Sequence, residues 1–90
     1  MENEINKVKA EVFIQEAYDL YNLDDYNESF KLSLKTYKFA MRVKEYEIAI
    51  DSLMIHVKSA LQLNKLSNCK NLLDSIVHLA KKKYSPKDLP

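Results

Sequence analysis

Two histidines and one cysteine, His56, His78 and Cys69, are the side chains of this chain suited to binding a soft metal or moving a proton near neutral pH. Zinc sites draw such ligands from close spacings, and no two of these three share one, so no metal is expected. His78 falls on the polar side of its segment, one turn after Asp74, where a surface hydrogen bond is the expected arrangement. Cys69 falls within the apolar stripe of the same segment, and His56 borders the apolar stripe of residues 46–63 as a packing residue. Glycine is absent, so no loop can cradle a phosphate, and nothing resembles a nucleophile elbow. Asp24 and Asp25 stand where helix caps are needed. The chain is expected to be a non-enzyme without a cofactor.

Charge offers more. Lys31, Lys35, Lys38 and Arg42 recur at spacings of four, three and four residues. On a helix that places them within about 60° of arc. Such a stripe could track phosphates or meet an acidic partner helix. The more ordinary reading of such a stripe is a solvated face, helped by Glu28 and Glu45 as nearby counter-charges. The formal charge of the chain is +1, so any pull on nucleic acid must come from this local cluster. Lys81, Lys82 and Lys83 complement the dipole at a helix C-terminus.

Something must hold these residues in place, and composition points to helices. The two prolines lie within the last five of the 90 residues, and tight β-turns would want the glycine that is missing. Apolar periodicity predicts an all-α, four-helix antiparallel hairpin bundle with helices near 4–21, 26–43, 46–63 and 68–84. A single domain over 1–84 with a frayed tail over 85–90 is expected. No signal-like start or membrane-length apolar run is present, and one cysteine suits a reducing compartment. The location expected is cytoplasmic, with no membrane partner.

In the first helix Ala10, Phe13, Ile14, Ala17, Leu20 and Tyr21 share a side, and Val8 and Val12 form a second strip. In the second, Tyr26, Phe30, Leu34, Tyr37 and Met41 form one stripe, with Leu32, Phe39 and Val43 beside it. The third is expected to bury Tyr46, Ile50, Leu53, Val57, Ala60 and Leu61, leaving Ile48 and Ile55 on the far side. The fourth aligns Cys69, Leu72, Leu73, Ile76, Val77, Ala80 and Tyr84. Helices apolar over more than half their circumference touch neighbours on two sides, within the chain or across a subunit boundary. Asn22 and Asn64 are placed to take the left-handed conformation that ends a helix, and Asp25 and Ser67 to cap the next one. Between Arg42 and Glu45 no breaker occurs. A bend is expected there, because one helix over 26–63 would run roughly 57 Å.

The stretch "LDDYNESFKLSLKTYKFA" resembles the turn and second helix of a tetratricopeptide repeat. Tyr26 takes that family's aromatic place, Ser29 and Thr36 stand where alanine is preferred, and Ala17 and Leu20 fit the preceding helix. A second copy runs through "LQLNKLSNCKNLLDSIVHLA", with Leu66, Cys69, Leu73 and Ile76 in comparable places. The copies lie about forty residues apart, against a usual period of roughly 34. The family's tryptophan, Leu-Gly pair and closing proline are missing. Ile14 and Tyr18 replace the lysine and asparagine of its carboxylate-binding subset. The chain also resembles HEPN-type helical domains, whose nucleases carry a histidine four to six residues after an arginine. Arg42 is the one arginine, and His56 lies too far along, so that resemblance implies an accessory partner of an enzyme rather than a nuclease.

The expectation is therefore a protein-interaction module that self-associates as a homodimer, covering Leu32, Phe39, Val43, Ile48 and Ile55. A nucleic-acid-associated domain using Lys31, Lys35, Lys38 and Arg42 is the alternative.

Overall fold

The computed structural model describes residues 2–65 and 70–83. Four helices make it up: α1 (Glu2–Asn22), α2 (Tyr26–Arg42), α3 (Tyr46–Gln62) and α4 (Lys70–Lys83), with no strand among the described residues. The expectations placed on Leu66, Ser67, Cys69, Tyr84 and the tail 85–90 lie outside the described residues, as do those on the side chains of Leu72, Lys82 and Lys83.

Without glycine, the chain closes its helices by another route. Asp24, Lys44 and Asn64 take φ of 63°, 63° and 59°, at intervals of twenty residues. At each corner the residue after the left-handed one donates its N–H five residues back: Asp25 to Leu20 at 2.9 Å, Glu45 to Ala40 at 2.8 Å, and Lys65 to Ala60 at 2.8 Å. The left-handed residue itself donates to the carbonyl three before it, at Tyr21, Met41 and Leu61. This double bond pattern is the Schellman closure, which satisfies carbonyls left open at a helix end. Asn64 behaves as expected. At the first corner Asp24, not Asn22, carries the positive φ, because Asn22 still belongs to the last helical turn. The bend expected between Arg42 and Glu45 is present, and a lysine makes it. Lys44 gives the sequence no warning, since its strain is offset by the two closure bonds and not by an intrinsic preference. Asp25 caps α2, its Oδ1 accepting from the Glu28 N–H at 3.4 Å.

The α2–α3 contact is the most extensive in the fold, and small side chains build it. Ser29, Ser33, Thr36 and Ala40 of α2 are buried against Ala49, Ser52, His56, Ser59 and Ala60 of α3. Their size lets the backbones approach closely. The hydroxyls remain satisfied within their own helices: Ser33 donates to Phe30, Thr36 to Leu32 and Ser52 to Ile48. Ser29 and Ser59 meet across the seam at 2.6 Å. Burial without a partner would cost each hydroxyl roughly 1–3 kcal/mol. Here the cost is avoided.

Leu53, Ala40, Ala49 and Leu79 form the apolar centre, with Tyr37, Met41, Tyr46, Ile48, Ile50 and Ile76 packed around it. α3 sits between α2, α1 and α4 and is therefore covered on several sides. This corrects the reading of Ile55: it is 2% exposed and buried inside the chain, not left over for a partner. Leu61, expected in the core, is exposed. On α4 the packed face is rotated from the expected one, with Leu79 buried and Leu73 and Val77 exposed. α4 leans on α3 through a narrower contact than α2 does, so only part of its apolar arc finds cover.

Candidate functional site

α1 packs antiparallel along α2 and touches α3 as well. Ala10 and Ala17 are buried, and Tyr18, on the side toward α3, has its hydroxyl pKa raised by partial burial and by the Asp51 charge. Along the α1–α2 seam an open groove of about 710 Å³ runs between Lys9, Phe13 and Glu16 of α1 and Leu32, Lys35, Thr36, Lys38, Phe39 and Arg42 of α2. Phe13 and Phe39 meet edge to face at 5.6 Å and make its floor with Leu32. The Arg42 guanidinium stands 5.5 Å from the Phe39 ring centre, a cation–π distance that fixes the charge at the groove's end. Beyond it a shallower recess of about 620 Å³ continues past Asn3 and Asn6 to Val43 and Lys44.

Two separate sequence expectations thus converge. Leu32 and Phe39, read as spare apolar residues, and Lys35, Lys38 and Arg42, read as a basic stripe, line the groove, and Val43 lines the recess that shares Phe39 and Arg42 with it. Lys31 stands apart from it, 3.9 Å from the Glu28 carboxylate on the exposed face. Ile48 is half-buried against the core, and Ile55 is inside. Phe13, Lys9 and Glu16 were not legible as site residues. Phe13 has the spacing of a core residue, yet its half-buried ring lines the groove.

His56 is the other chemically distinctive residue. Its Nδ1–H donates to the Phe30 carbonyl at 2.8 Å, and the Ser33 hydroxyl lies 3.4 Å from the same nitrogen. The imidazole stacks on the Phe30 ring at 4.0 Å with planes 23° apart, while Lys65 lies 5.2 Å from that ring's centre. Burial holds the His56 pKa below its ordinary 6.5, with the Phe30 carbonyl opposing in part. It is a packing residue, as its position in the sequence implied. Arg42 is on the groove rim and His56 in the α2–α3 seam, so the two are not brought to one site. His78 is exposed. Among the described residues no group of three His, Cys, Asp or Glu side chains could hold a metal ion, and no helix is long and apolar enough to cross a membrane.

Compared with protein-family models, with curated proteins and with solved structures, the chain finds no match. The geometry of the groove has to carry the functional reading.

Proposed function

We propose that this protein is a non-catalytic helical interaction module, cytoplasmic, that docks a protein helix in the groove between α1 and α2. One observation supports this above others: an aromatic and leucine floor lies beneath a rim that carries Lys9, Lys35, Lys38 and Arg42 against the single carboxylate of Glu16. Helix-binding grooves pair an apolar strip for burial with charged edges that set orientation. The tetratricopeptide-like arrangement fits the same reading, since α1 and α2 form a hairpin whose far side, away from α3, is where a further helix would stack.

A photo-crosslinking amino acid placed at Leu32 tests it in cells. Adducts that resist nuclease and disappear with protease are expected, well above those formed by the same probe at exposed Lys58 on α3. Nuclease-sensitive adducts at position 32 would instead favour a nucleic-acid role. The observation behind that second reading is the same row of cations, and it requires binding that weakens steeply with salt. An accessory role beside an enzyme, in the HEPN manner, would be marked by co-purification with that enzyme.

A further inference from the structure

A second feature of α1 is unused by the chain's own packing. Ile5, Val8 and Val12 are 58%, 58% and 55% exposed, and their spacing puts them within about 60° of arc on its outer side. The strip borders the groove, because Lys9 and Glu16 on the groove wall are its neighbours around the helix. Glu4 and Glu11, both exposed, flank it on the opposite edge. The outer face of α1 is therefore what the groove calls for: a short apolar ridge with carboxylates along one side.

We infer that the occupant of the groove is α1 of a second copy of this chain, laid parallel to the first about a two-fold axis running along the helices. This rests on the reading of the groove as a protein-docking surface and names its partner. The orientation follows from placement. Asn3 and Asn6 lie beside Arg42 and Val43, and Phe13 lies against Phe39, so α1 residue numbers rise as α2 numbers fall. A parallel copy sets its Glu4 level with Arg42 and its Glu11 level with Lys35 and Lys38, while Ile5, Val8 and Val12 descend toward Leu32, Phe39 and Phe13. An antiparallel copy turns the two glutamates away from the basic wall. The two-fold axis fills both grooves at once and leaves no open surface to propagate. Both partners of each charge pair sit at the rim, so they select register more than they add affinity. A standard stable interface buries roughly 1,600 Å²; one helix in one open groove, even counted twice, falls at the reversible end.

Sedimentation equilibrium with reciprocal charge reversal decides the matter. The wild-type chain is expected to pass from monomer to dimer as its concentration rises, and K35E/K38E and E4K/E11K are each expected to be monomeric over the same range. An equimolar mixture of the two variants is expected to dimerise again, since both of its grooves then face opposite charge. All four positions are exposed, and unchanged circular dichroism confirms that folding is intact. A wild-type chain monomeric throughout overturns the inference, as does a dimer indifferent to either reversal or a mixture that stays monomeric. If the chain is monomeric yet Leu32 still crosslinks to a different polypeptide, the second copy is excluded and the docking groove stands. If Leu32 reaches no polypeptide, both fall.

Discussion

Leu53→Ala is expected to lower the free energy of unfolding by about 2–5 kcal/mol. Leu53 has no exposed surface and packs at the centre with Ala40, Ala49 and Leu79. Those three neighbours come from α2, α3 and α4, so the cavity opens where three helices meet. Alanines cannot swing in to refill it, and the small side chains that bring α2 and α3 together leave little freedom for collapse. A domain of this size is stable by about 5–15 kcal/mol, so the loss is a large share of the whole. Urea unfolding followed by circular dichroism would register it as a lower midpoint with an unchanged slope. A loss below about 1 kcal/mol would place the core elsewhere.

His56→Ala should come next, at about 2–4 kcal/mol. The substitution removes a stacked ring from Phe30, deletes the donor to the Phe30 carbonyl and leaves a hole opposite Ser33. His56 also gives stability a pH dependence of known sign. Its folded pKa is depressed by burial, so below 6.5 the unfolded chain binds the proton more readily than the folded one. The contribution of neutral His56 is fully present above that value and is lost as pH falls from 6.5 toward the depressed folded pKa, where the loss levels off. The groups in contact with the imidazole, Phe30 and Ser33, carry no acidic charge to reverse the sign. His56→Gln, which keeps a donor to the carbonyl, should flatten the slope that opens as pH falls below 6.5. An identical slope in wild type and variant would show that His56 binds its proton equally well folded and unfolded, and a reversed one that the fold favours the charged imidazole.

The four helices were legible in the sequence because their apolar spacing is helical and nothing in the chain supplies β-turns. Their corners were legible only in part. Asn64 announces itself, whereas Lys44 and Asp24 are held left-handed by the closure bonds around them. The α2–α3 seam was harder still. Ser33 and Ser59 look like surface residues on any hydropathy scale, and they are buried because a small side chain, polar or not, is what the close approach requires. The resemblance to tetratricopeptide repeats did flag Ser29 and Thr36 as small-residue positions, for that same packing reason. Ile55 misled because α3's place in the middle of the bundle is a property of topology. The groove combined both cases: its α2 wall was readable as two adjacent stripes, and its α1 wall was not.

Amide chemical shifts recorded while the labelled protein is diluted give the most immediate view of the groove. Shifts confined to residues 3–16 of α1 and to residues 32–44 are expected, with Met54, Lys58 and Leu61 on α3 and Leu73 and Val77 on α4 unmoved. Shifts centred on the exposed α3 or α4 residues, or a spectrum indifferent to concentration, would contradict a groove that holds the helix of a second copy.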